Sequence, residues 1–277
     1  MSTSQDRFED RVVAFVDILG FRNIVEGMAN DPKSFELIRD VLKTIHRQER
    51  KISSDRLALE RASRQRKPRV VSLLPPSRTE MTAFSDCYVI SDKVASGWKV
   101  LVVVQAIAVS LLYRGILLRG GIVRGKAYHS GSVLFGPGVI SAYELEDKAA
   151  AYPRIVVEDH LLRSESLLLA KGEFFLRDAD GCWFVNPFEL DFSHLSALLP
   201  GLRPNRAERD FLDRVRMHVV RLLSAELRTR RRKWDRIAKL RWLATRFNNA
   251  VAAHPAGGVP PIDLDRPRML AGASARA

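Results

Sequence analysis

The first regular pattern in the chain is the apolar run Arg11–Ile18, which contains an aspartate near its end and is followed by Leu19, Gly20 and Phe21. Its β-branched and aromatic residues predict a buried strand that leaves through a tight turn, with a helix after it. Apolar residues recur at helical spacing from Phe35 onward, behind an aspartate and a proline that are typical of a helix start, and predict a second helix.

Two short β-rich runs, Met81–Phe84 and Cys87–Ile90, flank Ser85 and Asp86. This pattern predicts a hairpin with an aspartate near its tip. The longest apolar stretch, Val100–Leu112, lies within a predicted helix over 98–113. It is too short to span a bilayer, which needs about 20 apolar residues, so a buried helix is expected.

The remaining pattern alternates again between strand and helix. A strand with a double glycine is predicted over 116–125, turns over 131–138, a helix over 139–150 and a short strand over 154–157. The order is β, α, α, ββ, α, β, α, β. This order predicts an α+β fold with a mainly antiparallel sheet rather than a parallel, doubly wound one.

Positive charge is distributed unevenly along the 277-residue chain, which carries a net charge of +13. Residues 203–246 hold 15 basic against 5 acidic side chains, and residues 46–69 hold 9 against 3. We therefore predict a domain over 1–200 with a basic insertion at 46–78, and a basic helical extension with a loose tail over 201–277. Such segments bind nucleic acid, attract polyanionic small molecules, or are simply solvated helix faces.

Cysteines and the N-terminus bear on where the protein works. Cys87 and Cys182 are isolated and have no zinc-site spacing, which favours a reducing compartment. The first ten residues are polar and lack the apolar core of a signal peptide. A cytoplasmic location without a membrane anchor is expected.

Asp17 and Asp86 are the main candidates for chemistry, because adjacent strands could bring the two carboxylates together. Paired carboxylates repel unless a cation bridges them, and hard oxygen ligands favour Mg²⁺ or Mn²⁺. Two such ions support in-line displacement at phosphorus. The alternative is purely structural: Asp17 caps the next helix and Asp86 forms a turn.

A phosphate site is predicted where the turn after Asp17 meets the helix, since backbone N–H groups at a helix start bind anions. Arg119 could offer a guanidinium to phosphate, or could pair with an acid in a structural role. The segment Gly121–Lys126 does not have P-loop spacing. The six histidines have no catalytic context and receive no role.

Taken together, five segments resemble the core of class III nucleotidyl cyclases. They are Phe15–Phe21, Phe84–Asp86, Arg119–Ile122, Gly136–Glu146 and Tyr152–Ile155. The variant with the arginine before the double glycine is similar to the pyrimidine cyclases of bacterial Pycsar antiphage defence systems. The resemblance covers roughly residues 11–158.

The resemblance implies a ferredoxin-like βααββαβ cyclase domain that works as a homodimer with two Mn²⁺ or Mg²⁺ ions. It implies metal ligands at Asp17, Asp86 and the carbonyl of Ile18, and a triphosphate held by the turn through Leu19, Gly20 and Phe21. The product would be a second messenger that a separate effector protein reads in antiviral defence. Membrane and nucleic-acid partners are not expected.

Two departures from the purine cyclases favour the pyrimidine branch. Purine enzymes read the base at two positions that correspond here to Thr82 and to the neighbourhood of Val133. Neither side chain supplies the paired polar contacts that a purine base requires. We therefore expect UTP as the preferred substrate, with CTP as a possible one.

A second departure concerns the transition state. The helix that usually carries an asparagine and an arginine offers Ile140 and Glu144 instead. Arg119, Arg124 and Lys126 are then the candidates for stabilising the leaving pyrophosphate, and Arg124 is also predicted to bind substrate. The alternative function is a basic nucleic-acid-binding or processing protein that uses the two aspartates as a metal site.

Overall fold

A computed structural model describes residues 7–28, 35–43, 79–163, 174–188, 202, 206–253 and 258–267. The predicted basic insertion at 46–78 lies outside the described residues, and so do the last ten residues. The described residues divide into two compact units.

One unit, here called the sheet unit, comprises the described residues up to Ile107 together with Leu118–Ala150 and Arg154–Asn186. The other, here called the helical unit, comprises Ala108–Leu117, Ala151–Pro153 and the described residues from Pro187 onward. The second unit thus begins earlier than the predicted boundary at 201.

Eight strands form the sheet. They are β1 (Glu9–Ile18), β2 (Glu80–Phe84), β3 (Cys87–Lys93), β4 (Leu118–Ser130), β5 (Val133–Phe135), β6 (Ile155–Val157), β7 (Phe175–Arg177) and β8 (Trp183–Val185). Seven helices are described, of which α2 covers 35–43. The others are α1 (Phe21–Met28), α3 (Trp98–Leu112), α4 (Pro137–Ala149), α5 (Asp159–Leu162), α6 (Ala207–Arg228) and α7 (Trp234–Ala253).

The strands are ordered β2-β3-β1-β4-β6-β8-β7, and β5 pairs with the end of β4. All pairings are antiparallel except that of β4 with β6. The α+β class, the mainly antiparallel sheet and the element order βααββαβ are confirmed. Three short strands differ from prediction: β5 lies in a segment expected to be turns, and β7 and β8 were not predicted.

Helix α3 is largely buried, as its continuous apolar sequence predicted. Only Val102 among its large apolar side chains is well exposed. The helix therefore provides little of the surplus apolar surface that a homodimer would need, and such surface has to be sought elsewhere in the sheet unit.

The double glycine in β4 allows α4 to pack unusually close to the sheet. A Cβ atom on Gly121 would lie 2.4 Å from the carbonyl oxygen of Ala142 and 2.9 Å from the amide nitrogen of Glu146. A Cβ on Gly120 would lie 2.6 Å from the carbonyl oxygen of Phe15. Both glycines are thus required by close approach rather than by backbone conformation.

Arg154, in the Tyr152–Ile155 segment, has a structural role. Its buried guanidinium forms ion pairs with Asp178 and Asp180 in the loop between β7 and β8. It also donates a hydrogen bond to the carbonyl oxygen of Ala149, 3.0 Å away. These contacts fix the β7–β8 hairpin to the end of α4.

The helical unit has its own core, formed by the apolar faces of α6 and α7. The segment 258–267 packs into this core, with Val259 and Ile262 buried. Asn248 donates to the carbonyl of Ile262 and accepts from its amide, at 2.9 and 2.7 Å. The prediction of a loose tail is therefore wrong for this segment, because it overlooked nonlocal apolar contacts.

None of the described helices is long and apolar enough to cross a membrane.

Candidate active site

Asp17 and Asp86 are brought to the same end of the sheet. Asp17 lies opposite Cys87 of β3 and opposite Arg119 of β4, while Asp86 lies in the tight turn that joins β2 to β3. The amide of Ile18 donates a hydrogen bond to the carbonyl oxygen of Asp86, 3.1 Å away. Backbone pairing therefore holds the aspartate turn against the end of β1.

The backbone of this turn is strained. Ser85 has a φ of 54°, in the left-handed region that non-glycine residues rarely adopt. Strained residues of this kind persist where the surrounding structure holds them, and they are frequent at functional sites. Here the strain accompanies the placement of Asp86 beside Asp17.

The electrostatics show that the two carboxylates interact. Burial raises the pKa of Asp17, and the negative charge of Asp86 raises it further, against the opposing effect of Arg119. The pKa of the Cys87 thiol is also raised, first by burial and then by Asp86 and Asp17. Negative charge is thus concentrated at the carboxyl end of β1.

Arg119 lies between two acids from different elements. Its Nε and Nη2 atoms donate to Asp17 Oδ2 over 3.4 Å. Its Nε atom is also 2.6 Å from Glu146 Oε1 of α4. Because the N–H bond is directed at Asp17, the contact with Glu146 is a close ion pair rather than an aligned hydrogen bond. Arg119 thus has the acid-pairing role that the sequence had left open beside phosphate binding.

The predicted phosphate site corresponds to the start of α1. Gly20 has a φ of 78°, which favours glycine, and its carbonyl accepts the first helical hydrogen bond from Ile24 at 3.2 Å. The amides of Phe21, Arg22 and Asn23 then have no acceptor within the helix. No acid lies in the first turn of α1, so no side chain of the helix start itself competes with an anionic ligand.

The donor set fits a hard divalent cation. Within the described ranges, no group of three or more His, Cys, Asp or Glu side chains converges on one point. Asp17 and Asp86 supply two carboxylates, and their mutual repulsion would be relieved by a bound cation. Mg²⁺ is commonly held by one or two carboxylates, with water and substrate phosphates completing its coordination.

Thr82 belongs to a hydrogen-bonded network beneath the β4–β5 turn. Its hydroxyl donates to the carbonyl of Gly131 at 2.8 Å, and its oxygen is 2.9 Å from His129 Nε2. His129 Nδ1 is 2.8 Å from the hydroxyl of Ser91, which also accepts from Arg11. Because the Thr82 hydroxyl donates its proton to the Gly131 carbonyl, its oxygen accepts from His129. A neutral His129 imidazole then donates through Nε2 and accepts from Ser91 at Nδ1.

Thr82 and Val133 both lie at the β4–β5 turn. Val133 pairs with Ser130 at the far end of the turn that contains Gly131, the acceptor for Thr82. Val133 is well exposed. The hydroxyl of Thr82 has its proton committed, so it could offer a ligand an acceptor but no donor.

Arg124 and Lys126 are not brought to the aspartates. Arg124 is five positions from Arg119, so alternation places it on the opposite face of β4, ~17 Å farther along the strand. It pairs with Asp10 there, and its amide donates to Glu158 at 3.2 Å. Lys126 shares that face, opposite Asp10 in the register. Neither is part of the cluster around Asp17.

The exposed face of α4 carries both apolar and charged side chains. Ile140 and Tyr143 are 61% and 51% exposed, and Phe135 on β5 is also well exposed. Glu144 points to solvent and pairs with Lys148 one turn later, at 2.9 Å. Ile140 and Glu144 thus lie on a surface and do not contact the carboxylate pair.

Glu146 is the site residue that sequence reasoning missed. It is almost fully buried, and burial raises its pKa despite the lowering effect of Arg119. A buried acid in a helix has no periodic signature. The available signal was the double glycine of β4, because such glycines allow a helix to approach a sheet and place a side chain beside it.

Several solved structures are similar to this chain overall. Two are structures of a bacterial light-regulated adenylyl cyclase. The first has a TM-score of 0.40 and 12% sequence identity, and the match covers 74% of this chain. The second has a TM-score of 0.41 and 14% sequence identity, and the match covers 69% of this chain. The match covers 58% of the first of these two chains and 97% of the second. This chain therefore spans little more than half of the length of the first.

A third is the catalytic core of a rhodopsin-guanylyl cyclase with converted specificity, in complex with ATPαS. Its TM-score is 0.36 and its identity 18%, over 66% of this chain and 98% of that one. No protein-family model and no curated protein matches the chain. With TM-scores below 0.5, these likenesses do not assign an activity.

Proposed function

We propose that this chain is a nucleotidyl cyclase that converts a pyrimidine nucleoside triphosphate, preferably UTP, to its 3′,5′-cyclic monophosphate and pyrophosphate. One observation carries the proposal: Asp17 and Asp86 meet at the end of the sheet, directly before the exposed amides that start α1. Paired carboxylates beside an anion-binding helix start suit metal-assisted chemistry on a triphosphate.

Different residues would bind the metal ions and the triphosphate. Asp17, Asp86 and the carbonyl of Ile18 would hold two Mn²⁺ or Mg²⁺ ions. When bound, these ions would supply acidification of the ribose 3′-hydroxyl and charge neutralisation at the triphosphate. The turn through Leu19, Gly20 and the amide of Phe21 would hold phosphate oxygens.

In the proposed reaction, the ribose 3′-oxygen forms a bond to the α-phosphorus. The bond between the α-phosphorus and the oxygen that bridges to the β-phosphorus breaks, and pyrophosphate leaves with that electron pair. The hydroxyl proton passes to solvent water. The chain's own contribution is to align the 3′-oxygen, the α-phosphorus and the leaving oxygen, because in-line geometry dominates phosphoryl transfer.

The preference for pyrimidines is supported by the residues near the proposed base position. The Thr82 hydroxyl has its proton committed to Gly131, and Val133 is apolar. The acceptor atoms on a purine edge would find no donor on these two side chains, and each unpaired group costs about 1–3 kcal/mol. The choice of UTP over CTP rests on the sequence resemblance.

We also propose that the active form is a cytoplasmic homodimer whose cyclic product is read by a separate effector in antiviral defence. Support for the dimer comes from the exposed apolar side chains Phe135, Ile140 and Tyr143. Large apolar side chains that stay exposed in a single chain are available to such an interface. The effector and the defence role rest on the resemblance to Pycsar cyclases.

The test is to incubate the purified full chain with Mn²⁺ and each of the four ribonucleoside triphosphates, and to identify products by mass. We expect cyclic UMP in excess of cyclic CMP, with both far above the purine products. The matched control is Asp10→Asn, which removes an exposed carboxylate from the same strand on the other face of the sheet. Cyclic AMP as the main product would contradict the pyrimidine assignment and leave the cyclase assignment intact.

One observation favours a second candidate function, nucleic-acid binding or processing. The segment from the last residue of α6 to the first residue of α7 carries five exposed cationic side chains followed by an exposed tryptophan: Arg228, Arg230, Arg231, Arg232, Lys233 and Trp234. Arginine-rich surfaces bind phosphate backbones with an affinity that falls steeply as salt increases. Steeply salt-dependent nucleic-acid binding without nucleotide turnover would favour this candidate.

A further inference from the structure

Glu146 is a buried acid whose charge the proposed reaction does not use directly. Its side chain is 2% exposed, whereas those of Asp17 and Arg119 are 20% and 31% exposed. A buried carboxylate is costly unless a cation compensates it, and the cation beside Glu146 is Arg119. Arg119 is therefore held from the helix side.

The same guanidinium contacts only one oxygen of Asp17. Both donating nitrogens of Arg119 reach Oδ2. Oδ1 is therefore the Asp17 oxygen that does not share these hydrogen bonds. Contacts to one oxygen of a carboxylate restrain the rotation of its plane, so the direction in which the other oxygen points is restrained as well.

We infer that Glu146 is a positioning residue that orients Asp17 for cation binding through Arg119. The chain of contacts runs from buried Glu146 through a 2.6 Å ion pair to Arg119, and from there to Asp17 Oδ2. The close approach of α4 at Gly121 holds the first link in place. The inference rests on the proposed function, since it concerns the same pair of aspartates.

The test uses Mn²⁺ alone as the probe, with the full chain and no nucleotide, and measures free Mn²⁺ by electron paramagnetic resonance. Glu146→Gln keeps the size of the side chain and removes its charge. The Kd for Mn²⁺ should rise about 10- to 100-fold, as is usual for residues that orient metal ligands. The matched control is Glu144→Gln, an exposed position of the same helix, and its Kd should stay within about twofold of the parent value.

Two further variants separate positioning from simple folding. Glu146→Asp keeps the charge and should recover part of the lost affinity even if the Gln variant folds poorly. Combining Glu146→Gln with Arg119→Met should weaken binding no more than Arg119→Met alone, because the two residues act in series. Thermal midpoints are recorded for all variants.

An unchanged Mn²⁺ Kd in folded Glu146→Gln protein would overturn the inference and leave Glu146 a purely structural residue. If the two substitutions weakened Mn²⁺ binding additively in the double variant, that result would overturn the inference as well. Failure of the proposed function gives a different result: the parent chain and the variants would follow the expected Mn²⁺ pattern, yet no cyclic nucleotide would form. A parent chain that binds no Mn²⁺ would overturn both.

Discussion

The amide of Ile18 donates to the carbonyl oxygen of Asp86 across 3.1 Å, and this backbone contact joins the end of β1 to the turn of the β2–β3 hairpin. Together with the pairing of Asp17 and Cys87 in the sheet, it places Asp86 beside Asp17. The two acids are therefore preorganised by the sheet itself, even though their charges oppose each other. Preorganised charge of this kind is a cost in stability that a functional ligand can offset.

Replacing either acid should abolish turnover and leave the fold intact. Asp17→Asn and Asp86→Asn should each lower the rate of cyclic nucleotide formation at least about 100-fold, because metal charge stabilisation is worth several kcal/mol. Mass analysis of the product measures this loss. Near-normal turnover in either variant, with Asp10→Asn as the control, would show that the carboxylate pair is not the metal site.

Asp17 should make the protein less stable as pH rises. Its raised pKa means that the folded state holds the proton more tightly than the unfolded state. The favourable contribution is complete below the ordinary pKa of 3.8 and is lost as pH rises through the folded-state pKa.

The variant Asp17→Asn removes this dependence. Urea denaturation with a chelator present should therefore show the variant gaining stability relative to the parent as pH increases from 4 to 7. A variant that loses stability relative to the parent over this range would contradict the assignment, because it would mean that Asp17 is stabilised as a carboxylate.

The close packing of α4 on β4 should be essential for activity. Gly121→Ala would place a Cβ atom 2.4 Å from the Ala142 carbonyl and force the helix that carries Glu146 away from the sheet. Overpacking of this kind costs about 1–3 kcal/mol of stability, and we expect activity to fall with it.

A matched variant with a different cause of instability is Gly181→Ala. Gly181 has a φ of 85°, so alanine there costs about 1–2 kcal/mol by backbone strain, in the β7–β8 loop and without a steric clash. At a temperature where both variants are folded, only Gly121→Ala should lose turnover. If the two variants lost turnover equally, the packing of α4 would contribute only to the stability of the protein and not to the site.

Dimer formation should depend on the exposed face of α4. Ile140→Glu replaces the most exposed of the three apolar side chains, Phe135, Ile140 and Tyr143, by a charge, and we expect a monomer with little activity. Val102→Glu makes the same change at an exposed position of α3 and should leave the dimer unaffected. Light scattering distinguishes the two, and a fully active Ile140→Glu monomer would contradict the proposed assembly.

Local patterns predicted the parts of the site that short segments determine. The β1 run and the hairpin around Asp86 are rich in β-branched and aromatic residues, and both strands and hairpin were found where expected. Alternation along β4 could also have shown from sequence that Arg119 and Arg124 lie on opposite faces. The resemblance grouped them as candidates, and the register separates them.

Nonlocal contacts account for what the sequence did not predict. Glu146 acquires its place only when α4 packs on the glycines of β4, and the buried positions of Val259 and Ile262 depend on α6 and α7. Strands of three residues, such as β7 and β8, are too short for a periodic signal. These features depend on contacts between segments far apart in the chain.

The most direct test of the central claim is the fate of the phosphates of UTP labelled at the α or the γ position, with Mn²⁺ and the full chain. We predict that the α-label appears in cyclic UMP and the γ-label in pyrophosphate, and that both products are lost with Asp17→Asn and retained with Asp10→Asn. Release of γ-label as orthophosphate, transfer of α-label into a polymer, or cyclic UMP from the Asp17→Asn variant would contradict it.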